Sequence, residues 1–293
     1  MTSDVGHVLT STVEVAGRQV RYATAGTGEP VVLLHGIGRS LEDWTQTQVA
    51  LSDRYAVYAV DLAGFGRSQP LVTADLPALA DHVLATLDQL GVTGPAHLVG
   101  NSLGGAVAMR MAVRDRRRVA SLTLADSAGF GREVTVALRV LGIPLLGQLL
   151  LRPNANRTRM AERSVFHDRA FVTPERLALA TELSHRTGGA EAFLQVARSL
   201  GTWWGIRPGW RRELLAAVAG YRIPTLIVWG TRDRILPATQ LIAAATAFPH
   251  ARTHLFTETG HMPQIERADE FGALVVDFLA ANPARPSITP AGA

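Results

Sequence analysis

The sequence predicts an α/β protein: a mostly parallel eight-stranded sheet with helices on both faces and a helical cap inserted late in the chain. Three observations predict it. Short β-type runs alternate with helical patterns along most of the chain. Four of those runs are compact and apolar, as strands buried on both faces are. A stretch of about a hundred residues, 127–223, then carries helical spacing and no convincing strand, which is too long for a plain crossover.

Residues 13–15 and 20–25 read as an opening hairpin turning at Gly17. The apolar runs 31–34, 55–60, 96–99 and 119–125 are the buried strands. Two more strands, 225–229 and 253–256, are separated by a helix near 237–247, and 268–281 makes a closing helix. The core is therefore assigned to 1–126 and 224–282. The 127–223 segment is read as a cap over the carboxyl ends of the strands, where open α/β sheets place their ligands. Residues 283–293, with Pro283, Pro286 and Pro290, read as a flexible tail.

Composition narrows the function classes. Hydrophobic residues at 47% and charged residues at 18% exclude disordered and collagen-like chains. The net charge of +4 comes from basic side chains that are all arginine, and it is too small to imply a nucleic-acid partner. Arg114, Arg116, Arg117 and Arg118 cluster where a helix should end, complementing its dipole in solvent. Having no cysteine, the chain has no disulfide, zinc thiolate site, iron–sulfur cluster or thiol nucleophile. Residues 1–10 include Asp4 and His7 and lack a basic start followed by an apolar run, so a cytoplasmic location is expected. The apolar stretch 134–151 is broken by Arg139, Gly142, Pro144, Gly147 and Gln148, and no membrane span is expected. The expected partner is a small-molecule substrate, with no cofactor or metal; homo-oligomerisation is left open.

The most informative segment is Gly100-Asn101-Ser102-Leu103-Gly104-Gly105, between a strand and a helix through Ala106, Val107, Met109 and Val113. Glycines at 100 and 104 allow a sharp reversal that leaves Ser102 exposed at a helix N-terminus, facing positive backbone amides. Simple helix capping by Ser102 is the bland alternative. After the first buried strand, Leu34-His35-Gly36-Ile37-Gly38 supplies a loop whose Ile37 N–H, with the Leu103 N–H, can form a two-donor oxyanion hole. His35 is read as an organiser of that loop. A serine needs a base, and an imidazole needs a carboxylate to fix its tautomer. Asp233, in Gly230-Thr231-Arg232-Asp233, and His261, in Gly260-His261-Met262, follow the last two strands and fit those roles. Asp126, ending the sixth strand, stays open as an alternative acid.

With Ser102, Asp233 and His261 in that order and at those strand ends, the sequence resembles the α/β-hydrolase fold family over nearly its whole length. The Asp61-Leu62-Ala63-Gly64-Phe65-Gly66-Arg67-Ser68 segment is similar to that family's turn after the following strand. A nucleotide loop at Gly64-x-Gly66 is not favoured, because Gln69 stands at the third glycine position. Serine at the elbow sets the chain apart from haloalkane dehalogenases and epoxide hydrolases, which use aspartate there.

The resemblance extends to carbon–carbon hydrolases of meta-cleavage products, which share Gly-Asn-Ser-x-Gly-Gly and a helical cap. Two departures separate them. Met262 stands where that group has Trp, and its cap arginine, placed after the Thr173-Pro174-Glu175 stretch, aligns with Ala180; Arg176 and Arg186 are substitutes. A carboxylic ester with an apolar or aromatic moiety is the expected substrate, bound by Gly36, Met262 and the cap residues Trp203 and Trp204, with Trp210 packed under the cap. The alternatives are the carbon–carbon hydrolase, a lyase or cyclase using the same triad, and a ligand receptor on the same fold.

Overall fold

The computed structural model describes residues 8–143 and 145–284, so the expectations for the first seven residues and for the tail from 285 onward fall outside the described residues. The strands are β1 (Leu9–Val15), β2 (Arg18–Ala25), β3 (Glu29–Leu34), β4 (Tyr55–Val60), β5 (Ala96–Asn101), β6 (Val119–Ala125), β7 (Gly201–Thr202), β8 (Gly205–Ile206), β9 (Thr225–Gly230) and β10 (Arg252–Phe256). Eight of them form one sheet in the order β1-β2-β4-β3-β5-β6-β9-β10. Among the described residues of this sheet, the β1–β2 and β2–β4 pairs are antiparallel and the other pairs parallel.

Period-two alternation explains how the sheet is covered. Val32, Leu34, Leu98, Leu122 and Ile227 point into one core, and Val31, Leu33, Val57, Val99 and Val228 point into the other. The first core is closed by α2 (Leu76–Gln89) and α3 (Leu103–Arg114), the second by α1 (Thr45–Ser52) and α12 (Ala268–Ala280). Asp75 caps α2, its carboxylate accepting the Ala78 N–H at 2.9 Å. The edge strand β10 is largely exposed, and α10 (Gln240–Ala247) and the short α11 (Pro263–Glu266) flank it in sequence.

Because β3 pairs with β4 on one side and β5 on the other, the chain reverses its direction of travel across the sheet there. Loops leaving the carboxyl ends of β3 and β5 diverge at such a point and open a crevice. Between the adjacent strands β6 and β9 the chain inserts α4 (Val136–Leu141), α5 (Leu146–Leu150), α6 (Ala155–Val165), α7 (Pro174–Ser184), α8 (Gly189–Leu200) and α9 (Pro208–Tyr221). The expectation of no strand in this insertion needs correcting: β7 and β8 pair as a two-residue antiparallel ribbon, too short to leave a periodic signal. Among the described residues, no helix is long and apolar enough to cross a membrane.

Candidate active site

Ser102 sits between β5 and α3 at φ 54° and ψ −114°, a left-handed conformation costly for a residue with a side chain. The turn is possible only because two glycines let elements touch. A Cβ on Gly100 would strike the backbone of Gly104, and one on Gly104 would strike the Leu34 carbonyl of β3. The Ser102 carbonyl accepts from Gly105 N–H at 3.2 Å and Ala128 N–H at 3.0 Å, which holds the strained residue in place.

The preceding Asn101 ties three strand ends together. Its amide donates to the Ala125 carbonyl at 3.2 Å and to the His261 carbonyl at 3.0 Å. His261 follows β10, and its N–H donates to the Val165 carbonyl at 2.8 Å, so the loop is also held by the end of α6. Glu266 secures the same loop from the other side. One of its carboxylate oxygens accepts the Gly260 N–H at 2.7 Å, and the other accepts the His167 and Asp168 N–H groups at 2.9 and 3.0 Å. Burial pushes the Glu266 carboxyl up, against those three amides.

The imidazole of His261 donates from Nδ1 to Asp233 Oδ2 at 2.7 Å, both side chains being buried. Asp233 Oδ1 accepts the N–H groups of Ile235 and Leu236 at 2.7 and 3.0 Å, fixing the carboxylate. With Nδ1 occupied, Nε2 is left to act as acceptor. Asp126 lies in the same cluster, its carboxyl within 4.8 Å of Asp233 and His261, but the imidazole pairs with Asp233. Burial, and then the Asp233 charge, push the Asp126 carboxyl well above the usual range. Both Asp233 oxygens, one Asp126 oxygen and His261 Nδ1 are engaged with one another or with backbone amides, the arrangement of a carboxylate–imidazole pair.

The β3 loop is set by His35, whose Nδ1 donates to the Gly36 carbonyl at 2.7 Å while Nε2 accepts the Leu62 N–H at 3.0 Å. Burial lowers its pKa, keeping it neutral in this role. The Asp61-to-Ser68 turn is structural: Asp61 accepts the Leu41 and Arg67 N–H groups, each at 2.7 Å. Among the described residues, no turn or loop carbonyl accepts from the Ile37 or Leu103 N–H, and Leu103, opening α3, has no partner within its helix.

A cavity of about 390 Å³ opens over these loops. Gly36, Ile37, Ser102, His261 and Met262 line it from the core, and Leu138, Leu183 and Phe193 from the insertion. Ala180 lines it too, as do Arg176 and Arg186. Arg176 lies 5.6 Å over the Phe166 ring and 3.6 Å from Asp43, and Arg186 donates to the Arg67 carbonyl at 3.1 Å. Trp203 and Trp204, expected at the cleft, line no described cavity and are 46% and 72% exposed. They occupy the turn of the β7–β8 ribbon, which directs them to solvent. Trp210 donates to the Leu200 carbonyl at 2.9 Å and packs on the core.

Sequence reasoning missed a charged lock at the cavity wall. Arg39 donates twice to Asp43, both at 2.8 Å, and pairs with Glu162 of α6. Burial alone would lower the Arg39 pKa, but the two carboxylates hold it raised.

Comparison with known proteins agrees with this architecture. The sequence profile of the alpha/beta hydrolase fold matches residues 29–268. The chain is 36% identical over 269 residues to the dihydrolipoyllysine-residue acetyltransferase component of an acetoin cleaving system from Pseudomonas putida, covering 91% of this chain and 68% of that protein. It is 31% identical to the 2-hydroxy-6-oxo-6-phenylhexa-2,4-dienoate hydrolase of Comamonas testosteroni, covering 89% and 91%. A solved meta-cleavage product hydrolase from Pseudomonas fluorescens IP01 superposes with a TM-score of 0.77 at 29% identity, over 92% of this chain and 97% of that one. The chain belongs to the α/β-hydrolase fold family.

Proposed function

We propose that the protein is a serine hydrolase that cleaves a carboxylic ester of an apolar or aromatic small molecule, without a cofactor. Ser102 Oγ attacks the acyl carbon while His261 Nε2 takes its proton. Asp233 holds the tautomer and stabilises the imidazolium. The developing oxyanion is held by the Ile37 and Leu103 N–H groups, each such donor being worth about 3 kcal/mol. His261 then returns the proton to the departing alkoxide, and water activated by the same imidazole releases the acyl group. The insertion 127–223 acts as the cap over this chemistry.

One observation carries the reading. A cavity of about 390 Å³ has Ser102 and His261 in its wall, and that imidazole is anchored to a buried carboxylate at 2.7 Å. The apolar residues opposite support an uncharged ligand, as do Ala180 and Met262 at the two positions where the sequence departs from the carbon–carbon hydrolases.

The carbon–carbon hydrolase is the second reading, supported by relatives named for dienoate cleavage and by Arg176 and Arg186 at the cavity wall. Turnover of para-nitrophenyl esters against a vinylogous diketone dienoate separates the two. A dienoate preference reverses the ranking. A fluorophosphonate probe should label Ser102; absence of labelling, with Ser102→Ala behaving like the parent, removes the catalytic reading and leaves the receptor.

A further inference from the structure

Ser102 stands in the wall of two cavities. The second, of about 60 Å³, shares Ile37, Leu138 and Ile235 with the large one and is lined further by Val134 and Leu200. The two differ in what else they reach. His261 and Met262 line only the large cavity, whereas Leu103 lines only the small one.

A tetrahedral carbon on Ser102 carries the serine oxygen, the oxyanion, the leaving alkoxide and the remainder of the acyl group. The alkoxide must lie where an imidazole can protonate it, which is the large-cavity side. The acyl remainder is left the other direction. We therefore propose that the small cavity is an acyl subsite that restricts the substrate to short, unbranched acyl groups, the larger alcohol moiety occupying the 390 Å³ cavity. A dry cavity of about 150 Å³ accepts benzene, or about 25 Å³ per carbon, so 60 Å³ takes a tail of about two or three carbons. Acetyl to butyryl esters fit, and hexanoyl and octanoyl esters do not. The wall supports a dry subsite: Val134, Leu200 and Leu236 are buried and apolar, and Arg139 turns its guanidinium to the Val134 carbonyl at 2.8 Å.

This assignment rests on the ester-hydrolase reading, and the test keeps the two apart. kcat/KM is measured for para-nitrophenyl acetate, butyrate, hexanoate and octanoate on the parent, Leu200→Ala and Ala197→Leu, residues that line the small cavity alone. Each surplus methylene should cost about tenfold, giving a fall of about 10⁴-fold over the four that separate butyrate from octanoate. Leu200→Ala should raise the octanoate-to-butyrate ratio about tenfold, and Ala197→Leu should lower butyrate relative to acetate by a similar factor. Ratios within one variant do not depend on how much of it is folded. In a second series, acetates of ethyl to dodecyl alcohols should react within a few-fold of one another. A flat acyl profile, ratios unmoved in both variants, or tolerance of long acyl with short alcohol groups overturns the subsite while leaving the hydrolase standing. No ester turnover and no fluorophosphonate labelling overturns both.

Discussion

Replacing Asp233 by Asn discriminates the assigned acid from its neighbour Asp126. In the parent, Asp233 Oδ1 accepts two amides at 2.7 and 3.0 Å and Oδ2 receives the imidazole Nδ1–H at 2.7 Å. An asparagine keeps the oxygen on the two amides, so its nitrogen faces His261 as a donor. The imidazole must then accept at Nδ1 and carry its proton on Nε2, where it cannot take one from Ser102. Loss of the correct tautomer lowers kcat by about 10⁴-fold, or about 5.5 kcal/mol of transition-state stabilisation. The fold should persist, because both amide bonds survive. Asp126→Asn should act differently. Its oxygen can still accept the Gly230 N–H, held at 3.0 Å in the parent, and the new amide replaces a carboxyl oxygen that has no partner among the described residues. Its rate should stay within about tenfold of the parent. Initial rates on para-nitrophenyl acetate, with thermal melts of each variant, measure both. An active, folded Asp233→Asn beside an inactive Asp126→Asn would refute the assignment of the acid.

Glu162→Gln removes one of the two carboxylates on the half-buried Arg39 and should cost about 2 kcal/mol, a Tm fall of about 4 to 8 °C by calorimetry; an unchanged Tm would show the lock to be idle. Gly104→Ala should abolish activity and lower Tm sharply because its Cβ meets the Leu34 carbonyl, whereas Gly94→Ala, with open space around it, should do neither. Glu42 is pulled down to about 2: burial opposes this, but hydrogen bonds from Arg21 and Ser40 prevail. Its contribution is therefore present above its unfolded pKa, about 4.3, and lost as pH falls toward 2, so urea melts of Glu42→Gln should show a shallower acid limb than the parent. Asp126 has the opposite sign. Its raised pKa makes its contribution complete below the unfolded value of about 3.9 and progressively lost as pH rises, so the Tm of Asp126→Asn minus that of the parent should grow from pH 5 to pH 8. A difference that stays flat would mean that the folded protein holds no proton there.

The strands were legible because burial on two faces leaves uninterrupted apolar runs, and 55–60 and 119–125 coincide with β4 and β6. The approach of Asp233 and His261 was legible for a related reason: each stands a few residues beyond a strand, and parallel strands deliver their carboxyl ends to one rim. What holds those residues was not legible. Arg39 meets Glu162 across 123 positions, Asn101 meets the His261 carbonyl across 160, and Glu266 meets the His167 amide across 99. No local period encodes such pairings. The tryptophans at 203 and 204 misled for a different reason. Aromatic side chains invite a cleft assignment, but a ribbon of two-residue strands shows no alternation from which their outward direction can be read.

The same distant contacts decide how the cavity can open. α6 is attached to the core near its carboxyl end in three ways: through Glu162 on Arg39, through the Val165 carbonyl on the His261 N–H, and through the amides of His167 and Asp168 on Glu266. Hydrogen bonds to charged groups contribute about 1.5 to 3 kcal/mol each, so lifting α6 would break several at once and would free the loop that carries His261. Opening by that route would displace the proposed base. Any opening that keeps the proposed catalytic geometry would leave these anchors in place and displace other parts of the cavity wall, such as Leu138 and Leu141 on α4 and Leu150 on α5. A disulfide fixing α6 to the Arg39 loop should leave turnover intact, whereas one fixing α4 over the cavity should slow it.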